Sequence, residues 1–269
     1  GVIKWLEEHD YKIVSISGCS MGALVGGFYA IGKLDNYTDW LRNIDVIGML
    51  KLLDFKGTGG LVSGETLMQE MKELVGDALI EELPVKFTAV ATDIKEEKEV
   101  WITRGSLLEA IRASITLPLF FTPHPYNGRF LIDGGVLNPV PIAPTLQDNT
   151  DLTIAVNLGG ENKPNISLSV PKKNESTMSQ IKEYLQNIAL PDAITLENGM
   201  YQVASQSFEA MQGTIARIKL ATYPPDIVIE IPRNLCRTLE FDRVDEVIEY
   251  GYNLCSELFE KRAKERLRS

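Results

Sequence analysis

The stretch Ile13-Val14-Ser15-Ile16-Ser17-Gly18-Cys19-Ser20-Met21-Gly22-Ala23-Leu24-Val25-Gly26-Gly27 reads as a strand, a tight turn and a helix. Lys12 to Ile16 is rich in β-branched and apolar residues, which suit a buried strand. Gly18-Cys19-Ser20-Met21-Gly22 fits G-x-S-x-G, in which a serine sits at a sharp strand-to-helix turn. The spacing has a physical reason. Ser20 must take a strained backbone conformation, and glycines on either side let strand and helix approach without Cβ clashes. The turn lifts the Ser20 hydroxyl above the sheet, and the helix N-terminus beneath it favours developing negative charge. The Met21 backbone N–H is then placed to donate to an oxyanion.

Composition bounds what surrounds this turn. A chain of 269 residues, 44% apolar and 24% charged, has room for one large α/β domain or two small ones around a sizeable core. Its 37 acidic residues against 27 basic give a formal net charge of -10, which argues against nucleic acid as a main partner. Cys19, Cys236 and Cys255 make no disulfide framework and fit a reducing compartment, so a cytoplasmic location is expected. No apolar run approaches the ~18 residues that a membrane span needs. No signal peptide opens the sequence as given.

Working outward, Val2 to His9 predicts a helix with no capping signal ahead of it, as if entered partway along. After the turn, Ala23 to Ile31 continues as a small-residue helix stopped by Gly32, and Asp35 to Asn43 is a second helix. Ile44 to Leu53 is strongly apolar and reads either as a core helix or as a wall beside an acyl site. The glycine-rich run 57–60 lacks the Gly-Lys-Ser/Thr ending of a phosphate loop. Ser63 is expected to cap a helix from Glu65 to Val75. Val85 to Thr92 and Val100 to Thr103 are partner strands, and Ser106 caps a helix to Ala113. Phe130 to Ile132 is a strand ending in Asp133-Gly134-Gly135, and Leu152 to Leu158 has the character of a parallel-sheet strand. Further on, residues 178–218 are largely helical, Asp226 to Ile231 is a strand, and the last helix starts near Asp242 with Cys255 in its core stripe. The basic ending Lys261 to Arg268 is a solvated helix end or an attraction to anionic lipid.

A serine nucleophile needs a proton acceptor. One reading is a Ser-His-Asp triad through His124, which lies between Pro123 and Pro125 in an expected surface turn. The other is a dyad in which Asp133, at a strand end followed by two glycines, takes the Ser20 proton directly. Cys19 as a thiol nucleophile is a third reading, disfavoured because the residue before such a serine points away from the site. No His/Cys/Asp cluster has metal-ligand spacing, so neither a metal nor a cofactor is expected.

Gly18-Cys19-Ser20-Met21-Gly22, with Asp133-Gly134-Gly135 and Asn138-Pro139-Val140-Pro141 downstream, resembles the patatin-like phospholipases. The likeness is greatest to the bacterial branch related to the neuropathy target esterase catalytic domain. Ala113-Ser114 with Pro118 and Phe121, and the strand ending Asn157-Leu158-Gly159, match as well. The resemblance covers about Gly1 to Gly160 and implies a three-layer α/β/α fold with a mostly parallel central sheet. It implies a Ser–Asp dyad acyl hydrolase of lipid or lysophospholipid esters, with Ser20 the nucleophile and Asp133 the general base. The family's glycine-rich oxyanion loop and its first strand have no counterpart in this sequence and are expected upstream of Gly1. The rival to an enzyme is an idle regulatory or binding module that keeps the fold. All 269 residues are expected to form one domain: a catalytic core over 1–160, a mobile loop over 161–177 and a mainly helical part over 178–269. Peripheral contact with a membrane is a further expectation; the sequence sets no oligomeric state.

Overall fold

The computed structural model describes residues 1–44, 48, 52, 62–76, 78–118, 120–164, 199–236, 240 and 243–266. The glycine-rich run 57–60, most of the apolar stretch 44–53, and residues 165–198 lie outside them.

The strand ahead of the serine is β1 (Ser15–Cys19), a few residues later than the apolar pattern alone suggests. The ladder with β2 (Lys86–Asp93) sets that boundary, running parallel from Ser15↔Lys86 to Cys19↔Val90. The chain between α1 (Val2–Glu8) and β1 is therefore unpaired with β2 through Lys12 and Ile13. α2 (Met21–Ala30) follows the turn and α3 (Leu34–Asn43) follows Gly32. α4 (Glu65–Val75) has the expected bounds but a different start: Gly64 is its N-cap, in the left-handed region, while Ser63 Oγ accepts from the Glu65 N–H. β3 (Lys98–Ile102) returns antiparallel on β2, and α5 (Leu107–Ser114) starts at Ser106, whose hydroxyl accepts from the Glu109 N–H as expected.

β4 (His124–Tyr126) and β5 (Arg129–Asp133) form an antiparallel ribbon, and β5 pairs antiparallel with β2. β6 (Ile154–Gly160) and β7 (Ile227–Pro232) form a separate parallel pair, flanked by α6 (Gly199–Thr222) and α7 (Val244–Arg266). The architecture is three-layer α/β/α. Its parallel pairings are β1–β2 and β6–β7, and β3, β5 and β4 extend the first of these antiparallel.

Registers on β2 position the site. Ala89 and Val90 pair with β1 and also with β3; Ala91, Thr92 and Asp93 pair with β5 and also with β3. A strand has only two edges, so β1 and β5 share one edge and β3 takes the other. β1 runs up that edge to Val90, and β5 runs down it to Ala91. The two strands therefore meet end to end, Cys19 opposite Val90 and Asp133 opposite Ala91.

The main core lies on the face covered by α2 and α5, where Phe28, Phe87, Leu107 and Ile111 are all at most 2% exposed. Full burial of side chains of this size stabilises by roughly 1.5–3 kcal/mol each. A Cβ on Gly26 would come within 2.6 Å of Ile16 Cγ2, so this glycine lets α2 lie close on β1. A second core joins the two ends of the chain: Trp5 of α1 packs on Phe259 of α7 with ring centroids 4.5 Å apart, above Ile229 and Cys255. Cys255 is fully buried there, and burial pushes its thiol up to about 11. Among the described residues no helix is long and apolar enough to cross a membrane.

Candidate active site

Ser20 sits between β1 and α2 with φ 52° and ψ -126°, in the left-handed region that side chains other than glycine rarely adopt. The two motif glycines differ in what they do. A Cβ on Gly18 would lie 2.3 Å from the Gly22 carbonyl group, so strand and helix can meet only if residue 18 is glycine. A Cβ on Gly22 would meet nothing within 4 Å, so the clash expected at that glycine is absent. Met21 is 40% exposed, and its N–H has no hydrogen-bond partner among the described residues. An unpaired N–H at the first turn of a helix is an anion-directed donor.

Asp133 ends β5 and is 1% exposed. Its Oδ1 accepts the Gly135 N–H at 2.7 Å, which caps the 3₁₀ turn Gly134–Val136. Its own N–H donates to the Thr116 carbonyl at 2.8 Å. The turn that follows fits closely, since a Cβ on Gly134 would lie 2.1 Å from the Val90 carbonyl oxygen. Asp133 Oδ2 is buried with no completed hydrogen bond among the described residues. Burial drives the carboxyl pKa up to about 6, opposed by the Ser20 hydroxyl and the Gly135 N–H. The Ser20 hydroxyl is thus close enough to act on the carboxyl electrostatically, while the bond between them falls short of full hydrogen-bond geometry in the free protein.

The other candidates fall away. His124 is not in a surface turn: it lies in β4 opposite Leu131, and its Nε2 is 3.0 Å from Glu109 Oε2. Burial lowers its pKa against the opposing Glu109 carboxylate, and its side chain hydrogen-bonds neither Ser20 nor Asp133. His9, at the end of α1, stacks on Trp5 with ring centroids 3.9 Å apart. Cys19 is buried, its Sγ against the Pro139 carbonyl at 3.5 Å. Burial first and the Asp133 charge second push that thiol well above its ordinary range, the opposite of an activated cysteine. Among the described residues no group of three His, Cys, Asp or Glu side chains is placed to hold a metal ion.

Sequence reasoning missed the polar groups that hold these two turns. Ser114, Thr116 and Asn138 are fully buried beneath them. Asn138 Nδ2 donates to Glu99 Oε2 at 2.8 Å, and Trp101 Nε1 donates to the same oxygen at 3.0 Å. Lys219 of α6 bonds the other Glu99 oxygen. Burial favours the neutral Glu99, but these three donors together hold its pKa below the ordinary value. Asn138 N–H in turn donates to the Gly134 carbonyl at 2.8 Å, so Glu99 braces the turn after Asp133. The available signal was weak: polar residues recurring inside an otherwise apolar run, as at Arg112, Ser114 and Thr116. A shallow groove of about 560 Å³, lined by Glu97, Lys98, Glu99, Trp101 and Leu137, lies beside this brace; neither Ser20 nor Asp133 lines it.

These features define an α/β protein with a serine at a strained strand-to-helix turn beside a buried, proton-hungry carboxylate. The chain belongs to the patatin-like phospholipase family, a family of lipid acyl hydrolases, whose model matches residues 1–146. It is 36% identical to an uncharacterized NTE family protein of Mycobacterium tuberculosis over 97% of this chain and 87% of that protein. It is 22% identical to human patatin-like phospholipase domain-containing protein 6 over 96% of this chain, which spans 19% of that larger protein. Lysophospholipase nte1 of Emericella nidulans is 24% identical over 97% of this chain and 17% of its own length.

Proposed function

We propose that the protein hydrolyses carboxylic esters of lipids or lysophospholipids, with Ser20 as nucleophile and Asp133 as general base. The observation that carries this reading is the register on β2, where Cys19 and Asp133 occupy successive positions of one edge. It brings the serine turn to a buried carboxyl whose pKa is raised to about 6. A base poised just below neutral pH is ionised at work yet basic enough to take a proton.

In this reading Asp133 Oδ2 accepts the Ser20 proton as Oγ attacks the ester carbonyl carbon. The oxyanion forms against the Met21 N–H at the start of α2. Collapse breaks the ester C–O bond, and the proton on Asp133 goes to the departing alcohol. Water then attacks the acyl-serine while Asp133 takes its proton, and that proton returns to Ser20 Oγ as the fatty acid leaves. No metal or cofactor is required.

The end of the sheet where Ser20 emerges also exposes Met21 at 40%, Ile94 at 54% and Phe130 at 61%. Asp93 pairs with Leu131, so Ile94 and Phe130 flank the last rung of that ladder on the same side. We assign peripheral lipid contact to this end rather than to the basic C-terminal helix, where Lys264 pairs with Glu260 and Arg262 bonds the Asp226 carbonyl. Three free cysteines, two of them buried, support a cytoplasmic setting. We take the 269 residues as one patatin-like domain, since β7 pairs with β6 and α7 packs on α1.

A fluorophosphonate probe tests the reading against an idle module of the same fold. An activated Ser20 labels at that residue and the protein releases fatty acid from a lysophospholipid. Absence of both in the folded full-length protein overturns the assignment.

A further inference from the structure

We infer that Ser114 is a positioning residue for the nucleophile, its hydroxyl holding the Ser20 backbone in its left-handed conformation. The inference rests on the reading of Ser20 as nucleophile. Ser114 is the last residue of α5 and has no exposed surface. Its Oγ accepts the Ser20 N–H at 3.0 Å and donates to the Val90 carbonyl at 2.6 Å.

The place of that hydroxyl in the sheet explains its use. Cys19↔Val90 is the last rung between β1 and β2. At the following residue the backbone must leave the sheet to make the serine turn, so its N–H can no longer reach the partner strand directly. The Ser114 hydroxyl stands between the two groups and relays the bond from the Ser20 N–H to the Val90 carbonyl. Both groups would otherwise be polar atoms without a partner at a buried seam.

The same carbonyl oxygen is the one that leaves room only for glycine at position 134. Two residues beyond Ser114, the Thr116 carbonyl accepts the Asp133 N–H at 2.8 Å. A single segment, Ser114 to Thr116, therefore holds the backbone amides of both Ser20 and Asp133. Arg112, one turn earlier on α5, fixes that segment by donating to Thr116 Oγ1 at 2.7 Å and to the Ser63 carbonyl. Only the Ser114 contact is made by a side chain and can be removed without rerouting the main chain.

The test compares the full-length wild-type protein with Ser114→Ala and with Cys255→Ala, a buried change in the other core. Three quantities are read: the fluorophosphonate labelling rate with its end-point stoichiometry, kcat and KM on a soluble ester, and deuterium exchange at the Ser20 amide. Ser114→Ala is expected to label to the same final stoichiometry at a rate roughly 10–100-fold slower, in keeping with the cost of a misplaced reacting group. kcat falls in parallel while KM stays put, and the Ser20 amide exchanges faster. Cys255→Ala, even at a similar loss of melting temperature, keeps the wild-type labelling rate. Wild-type rate and exchange in Ser114→Ala would overturn the inference. If the wild type itself does not label, the hydrolase reading fails, and the exchange at Ser20 still decides whether Ser114 holds the turn. Should Ser114→Ala not fold, Ser114→Cys, of similar size but a much weaker hydrogen-bonding group, carries the same measurements.

Discussion

The two turns that meet on β2 are built on opposite plans. Ser20 is half-buried and held by conformation: its φ of 52° is stored strain at the start of α2. Asp133 is 1% exposed and held by burial: its backbone is unremarkable at φ -48°, and its cost lies in a carboxyl removed from water. A left-handed serine costs about 1–3 kcal/mol. A carboxyl raised from 3.8 to about 6 costs about 3 kcal/mol when ionised. Ser20 is thus placed by geometry and Asp133 by desolvation, and the segment after α5 anchors both.

The largest effect expected is from Ser20→Ala, which should cut ester hydrolysis on the order of 10⁴-fold or more and abolish fluorophosphonate labelling. Circular dichroism should be unchanged, because the side chain contributes little to either core. Retention of most turnover would remove Ser20 from the chemistry and leave its strain without a function.

Asp133→Asn should lose on the order of 10³-fold in kcat while the protein becomes more stable. The sign follows from the raised pKa. Between the unfolded and folded values, the folded state binds the extra proton, so stability falls as pH rises through about 6. Replacing the ionised carboxylate by an amide should therefore raise unfolding free energy at pH 8 by up to about 3 kcal/mol, with the gain vanishing below about pH 4. Denaturant titrations at the two pH values check it; a destabilised Asp133→Asn at pH 8 would mean that the carboxylate is not held against its own desolvation.

His124→Ala should keep most of kcat. The activity of the wild type should rise with pH through an apparent pKa near 6, as Asp133 ionises. A histidine base would also give an acidic limb, lying below the ordinary 6.5 because burial pushes His124 down. The limb alone therefore does not separate the two bases, and its survival in His124→Ala is the decisive measurement.

The smaller effects concern the turn itself. Gly18→Ala forces a Cβ to 2.3 Å of main-chain atoms and should cost several kcal/mol, whereas Gly22→Ala meets open space and should change stability by less than about 1 kcal/mol. Ser20→Gly, inactive like Ser20→Ala, should be the more stable of the two by about 1 kcal/mol, because glycine takes the left-handed conformation without strain. Equal melting temperatures for those two variants would show that the turn is not strained.

The elbow was legible because its constraints are local. Gly18, Ser20 and the helix after them are fixed by sterics within a few residues, and those sterics are written in residue type and spacing. The family resemblance fixed the pairing with Asp133 in expectation, but a lone Asp-Gly at a strand end is an ordinary turn in any sequence. The helices α2, α3 and α4 and the strands β2, β3, β6 and β7 were legible for the same local reason, since each carries its own period or its own capping residue.

The rest was settled by tertiary structure. The end-to-end meeting of β1 and β5 depends on two registers along a third strand, and nothing in either segment states which rung of β2 it will take. Ser114 reads in the sequence as the end of a helix; only the packing of α5 on β2 turns its hydroxyl into the link between Ser20 and Val90. The raised pKa of Asp133 is likewise a property of what covers it, because the same residue in water would titrate near 3.8. Sequence alone determined the shape of the Ser20 turn, since backbone sterics act over a few residues. Burial and register decided what that turn faces, since both are sums over residues far apart in the chain.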